Sequence, residues 1–225
     1  MRVMTFNIRG GKGMDGRCSL ARIVQTVQAH APDVVCFQEI HERTPWRSLA
    51  DQPCRLQRLL GMPLIFQRNL NIGFGGEGVG IATSLPIEAV ARHALPSVRE
   101  RRGLLEVRVR SPHGVVSLFC THWGLGSMER LHQAEETTRR IVKVGHPVIV
   151  CGDLNDRADQ GSVRHLIDNA NLLDVGAAAN ALTYPADHPR LRIDYILCSK
   201  QLAVAHVETV QTQSSDHYPV LATIM

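Results

Sequence analysis

The sequence predicts a layered α/β sandwich, with two mixed, largely antiparallel sheets each covered by helices on its outer face. Three observations predict it. Short β-rich runs alternate with amphipathic helical patterns towards both ends of the chain, and the central strand-like runs follow one another without helices between them. No repeat, low-complexity tract or Pro/Ser linker divides the 225 residues. Consecutive central strands argue against a doubly wound parallel fold, and the amphipathic segments find their place outside the sheets. The length suits one domain spanning residues 1–225. A hydrophobic content of 44% against 20% charged residues is enough for a substantial core, so disorder does not dominate.

Residues 2–8 form the first strand, and apolar positions at helical spacing make residues 20–30 a helix. The run 33–38 (DVVCFQ) follows Pro32 and is continuously apolar from Val34 to Phe37, as a strand buried on both faces would be. Residues 49–60 read as a helix closed by Gly61. Strands at 79–84, 87–94, 104–110 and 115–121 are separated by turn signals such as Leu85-Pro86 and Ser111-Pro112-His113-Gly114. The Gly-rich stretch 73–80 lacks the G-x-x-x-x-G-K-[ST] pattern of a phosphate cradle and reads as a flexible turn into the strand at Val79. A helix at 128–144, a strand at 147–151 and a helix at 160–169 follow. The chain then returns to strands at 192–198, 202–209 and 218–224.

The net charge of +4 is carried almost wholly by arginine, which suits bidentate contact with an anionic substrate. Four of the six cysteines (Cys36, Cys120, Cys151 and Cys198) lie in apolar strand-like runs, and no C-x-x-C pair occurs. Buried free thiols in a reducing cytoplasm are therefore expected, not a zinc site or a disulfide framework. The amino terminus lacks the charged and apolar regions of a secretion signal, and no apolar run reaches the length of a membrane span. The expectation is a cytoplasmic monomer without stable membrane insertion.

The polar residues at strand ends carry the functional signal. Asn7, Glu39, His122, Asp153, Asn155 and the Asp216-His217 pair each lie at or just past an apolar β run, and Asp194 lies within one. Any one of them could be a turn former or a hydrogen-bonded core residue. Together they mark one rim, because strand ends converge and rim loops carry function. Magnesium takes hard oxygen ligands and is commonly held by one or two carboxylates plus substrate phosphate. Glu39 is the leading ligand candidate, with Asp216 and the amide oxygen of Asn7 as helpers. Asp153 could accept the proton of an attacking water while Asn155 fixes an oxygen. His217, oriented by Asp194, could donate to a phosphate oxygen.

Thr5-Phe6-Asn7, Gln38-Glu39, Thr121-His122, Gly152-Asp153-Leu154-Asn155, Arg192-Ile193-Asp194-Tyr195 and Ser215-Asp216-His217-Tyr218-Pro219-Val220 resemble, in order, the motifs of the endonuclease/exonuclease/phosphatase superfamily. The resemblance runs from the first strand to the last. It implies a four-layer αββα sandwich and Mg²⁺, or Mn²⁺, bound mainly at Glu39 with Asp216 and Asn7 contributing. It further implies that Asp153 and Asn155 handle the water, that Asp194 orients His217 and that His122 contacts the phosphate. Whether Asp153 or His217 is the base is left open.

Around this set, Glu77 is a candidate partner of His122, Arg102 a candidate phosphate contact and Lys12 a possible anion contact. Trp123 is read either as a stacking surface for a base or lipid group or as core. The expected substrate is a phosphate ester, with nucleic acid as one candidate and a nuclease-type phosphodiesterase as the favoured activity. The segment Asn155-Asp156-Arg157 departs from the G-D-x-N-x-A-H pattern of abasic-site endonucleases, and aromatics at 4% leave little stacking platform for a single strand. A phospholipid or sugar-phosphate phosphodiesterase or phosphatase is the alternative. A catalytically silent nucleic-acid-binding or regulatory module on the same fold is a second alternative.

Overall fold

In the computed structural model, which describes residues 1–47, 49–179 and 181–225, two six-stranded sheets stack face to face. Chain order is β1 (Arg2–Asn7), α1 (Leu20–His30), β2 (Val34–Glu42), α2 (Gln52–Leu60), β3 (Leu64–Ile72), β4 (Gly75–Thr83), β5 (Ile87–Leu95) and β6 (Arg102–Ser111). It continues with β7 (Gly114–His122), α3 (Ser127–Ile141), β8 (Val148–Asp153), α4 (Gly161–Asn169), β9 (Leu172–Asp174), β10 (Asp194–Ser199), β11 (Val204–Thr209) and β12 (Val220–Ile224). The first sheet is ordered β11-β12-β1-β2-β4-β3 and the second β5-β6-β7-β8-β10-β9. Among the described residues only β1/β2 and β7/β8 pair in parallel, each joined by a helical crossover, so the expected αββα sandwich of mixed, mainly antiparallel sheets is what the chain forms.

Three apolar layers explain the sequence pattern. Between the sheets, Val34, Cys36 and Ile81 meet Leu105, Val107, Cys120, Cys151 and Cys198. The alternate residues of the same strands turn outward: Val35 and Phe37 pack under Ile23, Val27 and Leu56 of α1 and α2. On the other side Phe119, Val150 and Leu197 pack under Ala134, Val163 and Leu166 of α3 and α4. Central strands buried on both faces lose the polar alternation of a one-sided sheet and read as unbroken apolar runs. Helix α1 buries Leu20, Ile23, Val24 and Val27, the i, i+3, i+4, i+7 stripe of an amphipathic helix. Helix α2 opens on Asp51, whose side chain accepts the Cys54 N–H, and closes at Gly61 with φ +68°.

The Gly-rich stretch differs from the expected flexible turn, because Gly75, Gly76, Gly78 and Gly80 lie inside β4. A Cβ at Gly75 or Gly78 would run into the backbone carbonyls of Glu42 and Gln67 on the flanking strands, so glycine here permits close strand approach. Strand β3, unexpected from sequence, is punctuated by Gln67, Arg68, Asn69 and Asn71 and therefore lacks apolar periodicity. No helix among the described residues is long and apolar enough to cross a membrane.

Candidate active site

The topology brings the chemistry to one rim. The parallel pairs β1/β2 and β7/β8 put Asn7, His122 and Asp153 at carboxyl ends, with Glu39 inside β2, one residue past the partner of Asn7, and not after the strand as expected. Their antiparallel neighbours contribute amino ends: β4 with Glu77, β6 with Arg102 and β10 with Asp194. Asp194 is thus the first residue of its strand, opposite Asp153, and does not lie inside the run. The loop entering β12 adds Asp216 and His217. In β2 the register with β4 shifts between Phe37 and Ile40, and Glu39 takes φ +55°. Such a bulge re-aims a side chain that regular pleating would send elsewhere.

Asp153 is the hub. Its Oδ2 accepts from Asn7 Nδ2 at 3.0 Å and lies 3.6 Å from His122 Nε2 and 3.8 Å from His217 Nε2. Its Oδ1 accepts the Asn155 backbone N–H at 2.9 Å. Asn7 Nδ2 also donates to Glu39 Oε1 at 3.0 Å, and Asn7 Oδ1 accepts the Arg9 N–H at 3.1 Å. The amide nitrogen, not the oxygen expected as a ligand, therefore faces the carboxylates. His217 Nδ1 is 2.9 Å from Asp194 Oδ2, and the ring packs against Tyr184 with centroids 4.8 Å apart. Arg9 Nε reaches Asp216 Oδ2 at 3.2 Å.

Electrostatics follow from burial and these neighbours. Burial, assisted by the charge of Asp194, pushes the Asp153 carboxyl up to about 7. Burial works against a charged His217, but Asp194 outweighs it and raises the imidazole to about 10. His122 is driven the other way by burial and by the charges of Arg102 and His217, so it stays neutral. Burial raises Glu39, with Asp216 adding to the shift. Asp153, Asp194 and His217 form a compact buried group, with ligand-type atoms all within 4.8 Å of one another, that could hold a divalent ion.

Other expected contacts are redrawn. Glu77 pairs with His41 at 3.3 Å instead of His122, because both occupy facing positions on β4 and β2. Trp123 is fully buried among Leu104, Phe119 and Val150, so it is core and offers no face to a substrate. Its carbonyl instead accepts Asn155 Nδ2 at 2.8 Å and holds Asn155 in the left-handed conformation, φ +49°. Lys12 sits in an isolated bridge with Cys18. Arg102 is buried at the rim and paired with Glu100 at 2.7 Å, and it lines a recess with Glu77 and His122.

Three residues to which the sequence assigns no role take part. Arg9 lies just beyond the β1 end and could have been suspected from that position. Tyr184 is distant in sequence and gives no signal. Asp156 accepts from Arg130 Nε at 2.8 Å and Ser162 Oγ at 2.6 Å, while its carbonyl accepts the Tyr195 hydroxyl at 2.8 Å. It ties the Asn155 loop to α3, α4 and β10.

This fold and cluster define a metal-dependent phosphoesterase. The chain belongs to the Endonuclease/Exonuclease/phosphatase family, whose model matches residues 4–217. No curated protein sequence matches it at a significant level. Among solved structures it is similar to an endonuclease/exonuclease/phosphatase from Beutenbergia cavernae (24% identity, TM-score 0.81, covering 100% of this chain and 71% of that one). It is also similar to a mannosyl-6-phosphatase from Bacteroides thetaiotaomicron (19%, TM-score 0.83, 100% and 99%). The human Nocturnin catalytic domain with bound sulfate anion is a third match (19%, TM-score 0.81, 100% and 93%). At these identities the likeness is one of fold.

Proposed function

We propose that residues 1–225 act as one domain, a Mg²⁺- or Mn²⁺-dependent phosphodiesterase of nuclease type that directs water in line at phosphorus. The observation that carries the reading is the double hold on Asp153: two donors fix its oxygens, while a proton-bearing histidine locked by Asp194 faces it. With its carboxyl near 7, Asp153 takes the water proton. Asn155, oriented by the Trp123 carbonyl, positions that water. His217 keeps its proton through the neutral range and donates to a non-bridging phosphate oxygen. Neutral His122 and the Arg102 guanidinium complete the phosphate contacts.

Glu39 and Asp216 fit a divalent ion: both are hard oxygen donors, and burial, the main cause of the upward shift of Glu39, disfavours its charged form unless a cation is at hand. The Asp153–Asp194–His217 group fits less well, since His217 Nδ1 is committed to Asp194. When bound, the ion supplies Lewis-acid neutralisation of charge on the phosphate oxygens.

A second reading, hydrolysis of a phospholipid or sugar-phosphate ester, is favoured by the pairing of Arg9 with Asp216 and of Arg102 with Glu100, which neutralises two of the cations at the site that a polyanion would use. The test is turnover of bis-p-nitrophenyl phosphate with Mg²⁺ or Mn²⁺ by wild type, Glu39→Ala and His217→Ala. Wild-type turnover lost in both variants is expected, and equal rates in all three would sink the enzymatic reading. Plasmid DNA, RNA and phospholipids at rising salt then separate the two readings, because nuclease binding weakens steeply with salt.

A further inference from the structure

A cleft of about 540 Å³ opens beside the catalytic rim, between the β5–β6 loop and the start of α3. Its size falls in the roughly 300–1,000 Å³ range of small-molecule sites. The cleft is built, not incidental. Gln133, wholly buried on α3, accepts the Gly124 N–H at 2.8 Å from one wall and donates to the Pro96 carbonyl at 2.8 Å on the other. Glu129 Oε1 accepts the Val98 N–H at 3.0 Å, and a Cβ at Gly124 would collide with the Glu129 carboxylate. These contacts fix the spacing of the walls.

The lining is unusual for a surface. Val98, Leu125 and Met128 are 83%, 76% and 63% exposed, three large apolar side chains around one opening. The charges there largely cancel: Arg102 is paired with Glu100, and Glu129 is turned to the Val98 N–H. Arg99 is exposed and makes no ion pair or side-chain hydrogen bond among the described residues. Arg102 lines both this cleft and the recess that holds His122, and Gly124 follows directly on His122-Trp123. The cleft therefore adjoins the recess of His122, where the proposed phosphate contacts lie.

We propose that this cleft is a substrate subsite for one uncharged, apolar organic group esterified to the scissile phosphate, with Arg99 meeting the phosphate charge at its edge. The assignment rests on the phosphodiesterase reading. A nucleobase and an alkyl chain share this chemistry, whereas a second backbone phosphate against Val98, Leu125 and Met128 would lose its hydration without a partner.

The experiment compares kcat/KM for methyl, n-butyl and thymidine-5′ p-nitrophenyl phosphodiesters. Wild type is expected to prefer at least one larger ester over the methyl ester by about ten-fold or more. A butyl preference assigns an alkyl source and a thymidine preference a nucleobase. The double variant Leu125→Asp/Met128→Asp should collapse that preference, and Val142→Asp, an exposed apolar residue outside the cleft, should retain it. Equal kcat/KM for the three esters, or a preference that survives the double variant, overturns the subsite. Calorimetric binding of phenyl phosphate against inorganic phosphate separates failure of the subsite from failure of the enzymatic reading. If wild type turns over no diester, the phosphodiesterase reading falls. The cleft stands if phenyl phosphate then binds more tightly than inorganic phosphate and the double variant abolishes the difference. Equal binding of the two overturns it.

Discussion

The two sides of the active-site rim treat their carboxylates differently. On the second sheet, Asp153 and Asp194 are buried, and Asn7, the Asn155 N–H and His217 hold them; of the four oxygens of these two carboxylates only Asp194 Oδ1 lacks a partner. On the first sheet, Glu39 and Asp216 are half-buried and held by one amide N–H, one guanidinium and one long hydroxyl contact. A carboxylate fixed by buried donors has a set direction and can manage a proton. A carboxylate with open lone pairs at a solvent edge remains available to a cation. In the proposed mechanism the second side therefore does proton work and the first side holds the ion.

The largest effects should test that division directly. Asp153→Asn is expected to lower kcat by about 10² to 10⁴-fold at saturating Mg²⁺, with little change in the Mg²⁺ concentration giving half activity. Glu39→Gln should raise that concentration. The opposite pattern in a metal titration would move the ion to the Asp153–Asp194–His217 group. Chelation should abolish wild-type turnover. Thermal unfolding provides a readout without activity: Mg²⁺ at about a hundred-fold above its Kd should add about 2.7 kcal/mol of stability, and Glu39→Gln should lose most of that gain.

Asp194→Asn should give the next effect, and its sign is set by the pH profile. His217 is raised above its unfolded value of 6.5, so its contribution to stability is full below that value and is lost as pH rises through about 10. Wild-type activity should rise as Asp153 loses its proton around pH 7 and fall on the alkaline side as His217 loses its own near 10. Asparagine removes the charge that holds the proton, while burial still opposes it. The alkaline limb should move down by several pH units, and rate at low pH should partly recover. An unmoved limb would mean that Asp194 does not set the His217 proton.

Much of this was legible in the sequence. Asn7, Asp153 and Asp194 lie at strand ends, Glu39 at a bulge inside β2 and His217 just before β12, all beside apolar runs that can be read locally, and the fold follows from the order of those runs. What escaped depended on pairings between distant segments. Glu77 meets His41 because of the β2/β4 register, which no local pattern reveals. The glycines of β4 looked like turn formers because their need is set by carbonyls on neighbouring strands. Strand β3 and the Asp156 contacts are likewise tertiary choices.

Asp156→Asn tests whether the ordered side depends on its supports. It weakens hydrogen bonds from Arg130 and Ser162 to a charged acceptor, a class worth about 1.5–3 kcal/mol each. Stability should fall by about that much, and kcat should fall more than KM rises, because the Asn155 loop loosens while the phosphate contacts stay.

Trp123→Phe should have the smallest effect. The indole Nε1 is buried without an acceptor, so phenylalanine removes no hydrogen bond; the smaller ring leaves a cavity that costs some stability without touching the catalytic groups. Since Asn155 is held by the Trp123 carbonyl and not by its ring, KM for bis-p-nitrophenyl phosphate should be unchanged. A several-fold rise in KM without loss of thermal stability would return Trp123 to the substrate surface and redraw the second side of the rim.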